Sequence, residues 1–98
     1  MRQGPSWDDD WYAVDSATER KWAEDELRGE LCQGHILVGL EATAVGRRRR
    51  RDDVLFRLCD GRLAQVHLTR RPEADLRYPD TQIYATFEDW RAVPVEDR

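Results

Sequence analysis

Residues 52–69, DDVLFRLCDGRLAQVHLT, constrain the fold more tightly than any other stretch, because two runs with period-two alternation flank the turn pair Asp60-Gly61. The turn decides which side chains share a face. A two-residue turn at Asp60-Gly61 places Leu58 opposite Leu63 and Phe56 opposite Gln65, which leaves both faces mixed. If Gly61 instead takes the left-handed position of a three-residue loop with a bulge, Leu58 opposes Arg62, Phe56 opposes Ala64 and Val54 opposes Val66. That register collects Val54, Phe56, Leu58, Ala64, Val66 and Leu68 on one face. A slip of one residue scatters them, so burial selects it. The other face carries Asp53, Leu55, Arg57, Leu63, Gln65, His67 and Thr69, with Asp53 directly across from His67.

A hairpin with one apolar face needs a layer to cover it, and the preceding segment supplies a helix. Ser16 followed by Glu19 is a capping-box pattern, and residues 17–32 hold good helix formers without proline. Trp22, Ala23, Leu27 and Leu31 form one stripe, with Glu19, Glu24, Asp25 and Glu30 spread over the exposed surface. Gly34 reads as a left-handed stop, with His35 a structural residue near the helix end. Residues 36–45, ILVGLEATAV, read as the first strand, and Arg47, Arg48, Arg49, Arg50 and Arg51 as a solvated turn before Asp52. Beyond the hairpin, Pro72 and Pro79 mark a loop. Residues 81–87, TQIYATF, read as a last strand, or Thr86 caps a helical turn over 87–92 that Pro94 ends.

The expected architecture is α+β, with one N-terminal amphipathic helix packed on a small three- to four-stranded antiparallel sheet and an optional short C-terminal helix. Residues 16–93 form this single domain, residues 1–15 a flexible acidic aromatic arm and residues 94–98 a tail. With 37% charged residues and a mean hydropathy of -0.84, the core must be economical. No apolar run approaches the roughly 20 residues of a membrane span, and the N-terminus lacks the pattern of a signal peptide, so the expected setting is the cytoplasm. Two cysteines are too few for a disulfide scaffold, and Cys32 and Cys59 read as small apolar residues.

Gly34-His35, Asp52-Asp53-Val54-Leu55-Phe56, Asp60-Gly61-Arg62, Val66-His67-Leu68-Thr69, Pro72-Glu73, Tyr78-Pro79, Thr81 and Asp89-Trp90 together resemble a family of small uncharacterised bacterial proteins. In that family a tryptophan commonly follows the His-Leu-Thr triplet and another precedes the later proline; this chain has Arg70 and Tyr78 there. The resemblance runs from residue 34 onward, and it implies domain limits rather than an activity.

Charge is segregated along the chain. Residues 1–35 carry four basic and nine acidic groups, residues 36–71 nine and four, and residues 72–98 three and seven, for a net charge of -4. This pattern suits electrostatically steered recognition of an unidentified protein partner, as in an adaptor, an inhibitor or an immunity-type protein. Its candidate contacts are the aromatics Trp7, Trp11 and Tyr12 with Arg47, Arg48, Arg49, Arg50 and Arg51. A first alternative is nucleic-acid binding, in which the same arginines contact phosphates, against a pI near 5.1. A second is a small enzyme built on Asp53 and His67 with Thr69 as a hydroxyl source. Neither a cofactor nor a metal is expected. A zinc site from both cysteines and both histidines fails because Cys59 and His67 sit about six residues, or roughly 20 Å, apart along the hairpin. The sequence leaves the oligomeric state open.

Overall fold

In a computed structural model, which describes residues 10–75, 77–94, 97 and 98, the hairpin forms in the bulged register. Strands β3 (Asp53–Leu58) and β4 (Leu63–His67), numbered within the full chain order, pair antiparallel with Asp53 opposite His67, Val54 opposite Val66 and Phe56 opposite Ala64. Gly61 has φ +93°, its N–H donates to the Leu58 carbonyl at 2.9 Å, and the Leu58 N–H donates to the Arg62 carbonyl at 2.8 Å. Glycine alone adopts that φ without a steric penalty.

Among the described residues the sheet has five strands rather than three or four, in the order β1 (Trp11–Ala13), β2 (Ala42–Arg48), β3, β4 and β5 (Asp80–Tyr84), each antiparallel to the next. Among the described residues there are two helices: α1 (Ala17–Glu30) follows β1, and α2 (Phe87–Ala92) follows β5. Both start as read, with Ser16 Oγ accepting from the Glu19 N–H and Thr86 Oγ1 from the Asp89 N–H. The extra strand comes from the expected arm. Residues 1–9, Trp7 among them, lie outside the described residues, but Trp11 pairs with Arg48 and is 1% exposed.

The first long strand is displaced toward the C-terminus. Residues 36–40 make tight turns instead, with the Val38 N–H donating to the His35 carbonyl, the Leu40 N–H to the Leu37 carbonyl, and Gly39 at φ +84°. Strand pairing extends to Arg47 and Arg48 because Arg47 finds Val54 across the ladder, so only Arg49 to Arg51 remain for the turn expected to hold all five arginines. Ordinary alternation sends Ala44 to one core and Val45 against the other, and the bulge between Ala44 and Gly46 then shifts the register so that Arg47 lies opposite Val54.

There are two cores. Helix α1 covers Val54, Phe56, Leu58, Ala64, Val66 and Leu68, contributing Ala23 and Leu27, with Trp22 and Leu31 partly buried at its margin. The second face buries Trp11, Leu55 and Leu63 against Trp90 of α2. Trp11 and Trp90 meet edge to face, with ring centroids 4.9 Å apart. Arg98, in the C-terminal tail, belongs to this layer: it is 7% exposed, its guanidinium lies over Trp90, and its Nε donates to the Val93 carbonyl.

Glu30, placed on the exposed surface by sequence, is 1% exposed. The helix ends above the exit of β4, where the backbone leaves the ladder. There the Glu30 carboxylate accepts from the Thr69 N–H at 2.7 Å, the Thr69 hydroxyl at 3.0 Å and the Arg70 N–H at 2.9 Å. His35 is a second brace, accepting from the Leu37 N–H at Nδ1 while its Nε2 donates to the Pro79 carbonyl.

Two glycine replacements separate backbone strain from helix propensity. Gly61→Ala lowers unfolding free energy by about 1 kcal/mol, because alanine must hold a left-handed φ, whereas Gly29→Ala, in helix with open space around its Cβ, raises it by about 0.5–1 kcal/mol. Urea denaturation measures both, and a neutral Gly61→Ala contradicts the strain assignment. A third change tests the carboxylate pair at the end of α1. Glu26 is held above the usual carboxylate range, first by its hydrogen bond to Glu30, then by burial and the Glu30 charge. A folded pKa above the unfolded one favours folding while Glu26 is protonated, and that advantage is lost as pH rises through the folded value. Glu26→Gln therefore stabilises by about 0.2–0.5 kcal/mol at neutral pH, as removal of a like-charge pair one turn apart should. The gain shrinks below the carboxylate range, which thermal melts at both pH values would register.

Candidate functional site

The sheet register aligns a row of side chains across one end of the second face. Trp11 on β1 lies opposite Arg48, Asp53 opposite His67, and His67 opposite Asp80 on β5. Arg48 closes the row, its Nη1 3.7 Å from Asp53 Oδ2 and also donating to the Arg98 carbonyl. Asp53 Oδ1 is 2.5 Å from His67 Nδ1. With the Asp53 side chain 11% exposed and that of His67 57% exposed, the carboxylate is the fixed member and the imidazole the accessible one. Nδ1 donates to Asp53, which directs Nε2 away from the carboxylate. A cleft of about 360 Å³ opens here, lined by His67, Asp53, Gln65, Gln82, Tyr84 and Arg98 among others. Burial raises the Tyr84 phenol above its ordinary value, so Tyr84 stays a hydroxyl donor.

Thr69 does not join the pair. It follows the end of β4, and its hydroxyl and N–H both donate to Glu30 on the helix side of the sheet, which removes the hydroxyl that an enzyme built on Asp53 and His67 would use. Asp53 and His67 therefore form a hydrogen-bonded dyad of their own.

The arginine run divides. Arg47 is internal to the fold: its Nη1 lies 3.1 Å from Glu19, its Nη2 3.9 Å from Asp52, and its guanidinium over the Trp22 ring. Arg70 lies over the same ring and pairs with Asp52 at 2.8 Å. Arg48 serves the dyad. Arg49, Arg50 and Arg51 are exposed at the β2–β3 tip, with Arg50 at φ +62°, a conformation uncommon outside glycine and asparagine. Tyr12 lies beneath this tip, its ring under the Arg49 guanidinium and its hydroxyl donating to Glu19 at 2.5 Å. Its phenol is raised above the ordinary value by burial and then by the Glu19 hydrogen bond. Of the aromatic residues singled out from sequence, Tyr12 therefore reaches the basic tip, Trp11 is core, and Trp7 lies outside the described residues.

Sequence patterning missed the exposed aliphatic loop, in which Ile36, Val38 and Leu40 are 62%, 45% and 38% exposed while Leu37 anchors the turn at 2%. The β-prone composition disguised it as a strand. Among the described residues, no group of three or more His, Cys, Asp or Glu side chains could hold a metal ion, and no helix is long and apolar enough to cross a membrane. Comparison with protein-family models, with curated proteins and with solved structures gave no match.

The unequal burial of the dyad yields unequal penalties. His67→Ala costs no more than about 1 kcal/mol, the range of exposed ion pairs. Asp53→Ala costs about 2 kcal/mol, because it takes the carboxylate from Arg48 as well as from His67. Equal penalties in urea denaturation would show that Arg48 gains nothing from Asp53.

Proposed function

We propose that the protein is a non-catalytic interaction module, of the adaptor, inhibitor or immunity type, that docks on an acidic protein surface through the β2–β3 tip. The observation that carries this reading is the division of the arginine run: Arg47 and Arg48 are neutralised within the fold, while Arg49 to Arg51 are exposed on a turn whose central residue is held at positive φ. Concentrated charge at one exposed point raises the rate of productive encounter with a surface of opposite sign. An acidic remainder, with the whole chain at -4, repels the wrong orientations.

A nucleic-acid partner receives less support. Tyr12 and Trp22 do lie beside the arginines, but guanidinium groups already cover their rings and Glu19 takes the Tyr12 hydroxyl. Bases would find charge without an open stacking surface. A cytoplasmic setting belongs to the same reading, in keeping with the unbonded thiols of Cys32 and Cys59.

The test is affinity capture from the native cell with the wild-type chain and with the variant Arg49→Ser/Arg50→Ser/Arg51→Ser, after nuclease treatment and over a salt series. The expected result is a protein whose recovery falls with salt and whose affinity drops about tenfold in the variant, as three exposed charges at roughly 0.5 kcal/mol each imply. Recovery unchanged by the substitutions, or abolished by nuclease, overturns the reading.

A further inference from the structure

The two outer edges of the sheet are treated differently. On one side the terminal strand is β1, only three residues long and paired with residues 46–48, and where β1 ends the Ala44 N–H of β2 is taken by Glu24 Oε2 at 3.0 Å. That edge is very short, and the stretch of β2 beyond it is capped by a side chain. On the other side β5 is the terminal strand, with no partner strand among the described residues. Its sequence, DTQIY, has no proline, lysine or arginine, and the β4–β5 ladder runs without a register shift, so Asp80 at its start is the one charge that guards this edge.

The direction of its backbone groups follows from the ladder. Leu58 bonds Arg62 and Leu68 bonds Asp52, so the even-numbered residues of β4 point their N–H and C=O groups at β3, and Leu63, Gln65 and His67 point theirs at β5. Their partners are Tyr84, Gln82 and Asp80. The groups left facing outward on β5 are therefore the N–H and C=O of Thr81 and Ile83. Just before them, the Pro79 carbonyl is already held by His35 Nε2 and the Thr81 hydroxyl, which fixes where the open stretch begins.

We propose that this edge pairs with the same edge of a second copy of the chain, antiparallel about a two-fold axis at Gln82, to give a continuous ten-stranded sheet. In this register Thr81 faces Ile83 of the second copy, so all four outward backbone groups of each strand are satisfied. Gln82 meets its own counterpart, and a carboxamide, being donor and acceptor at once, is self-complementary. Because Gln82 already lies opposite Gln65, the pairing builds a row of four glutamines across the axis. Asp80, the one charged residue of the strand, faces Tyr84 of the second copy rather than a second Asp80, so a carboxylate meets a phenol. Shifting the centre by one residue toward the N-terminus requires Pro79, which has no N–H. An extended peptide from another protein would find the same backbone groups without this side-chain match. A five-residue edge buries less than the roughly 1,200–2,000 Å² of a stable interface, so the association is weak and concentration-dependent.

Sedimentation equilibrium over a concentration series, with circular dichroism as the check on folding, tests the proposal. The wild-type chain is expected to pass reversibly from monomer to dimer. Gln82→Lys and Gln82→Glu, at a solvent-exposed position, are each expected to remain monomeric, and their equimolar mixture to regain the dimer through the new opposite charges. Amide exchange on the unaltered chain supplies a readout independent of the variants: Thr81 and Ile83 should gain protection with concentration, while Ala64 and Val66 should not. A wild-type chain that stays monomeric throughout overturns the proposal, as does a dimer that survives Gln82→Lys unchanged or forms without protecting Thr81 and Ile83.

Discussion

The left-handed backbone at Gly61 is the constraint from which the rest of the arrangement descends. By absorbing one residue at the turn, it sets the parity of β4 against β3, and parity decides which side chains face which layer. Val54, Phe56, Ala64 and Val66 come to lie beneath α1, and Asp53 comes opposite His67. The same parity is passed from β4 to β5 and selects which carbonyls and amides the last strand presents to solvent. A single φ angle thus governs the core, the dyad and the sheet edge.

What was legible in the sequence was what local rules determine. The bulged register followed from counting apolar residues per face, and both helix starts followed from a hydroxyl three residues before an N–H in need of an acceptor. The tertiary decisions were hidden. A three-residue strand such as β1 has no periodicity to read, and exists only because β2 continues through Arg47 and Arg48. Residues 36–40 carry strand-like composition but form turns, since Gly39 can hold a positive φ and Leu37 alone inserts into the core. Glu30 falls on the same helical face as Ala23 and Leu27, and only its charge makes it read as a surface residue; its burial depends on the amides of Thr69 and Arg70, far away in sequence. In the candidate site, the Asp53–His67 pair was legible from register alone, whereas the withdrawal of Thr69 and the arrival of Tyr12 beneath Arg49 required the whole fold.

Counting charges along the chain gave a basic middle between acidic flanks, and folding rearranges that picture. The acidic helix neutralises part of the basic segment, with Glu19 on Arg47, while Asp52 engages both Arg47 and Arg70. Trp22 is where these contacts converge, since the guanidinium groups of Arg47 and Arg70 both lie 4.7 Å from its ring. The basic side chains most exposed to solvent at this end are those of the tip, Arg49 to Arg51. Local charge density on a run of five arginines is therefore a poor guide to how many of them are available to a partner.

The thin layer on the second face gives the chain a built-in optical gauge. Its cover is a six-residue helix, and its contact with the sheet is centred on two indoles held nearly perpendicular, at 88°, with centroids 4.9 Å apart. Transitions in rings so close and so oriented couple, which lends the folded chain an exciton band in circular dichroism that depends on this one contact. If α2 lifts before the sheet melts, as small peripheral units tend to do, the band fades while the amide signal persists, and the order of events in unfolding can be followed without attaching a dye.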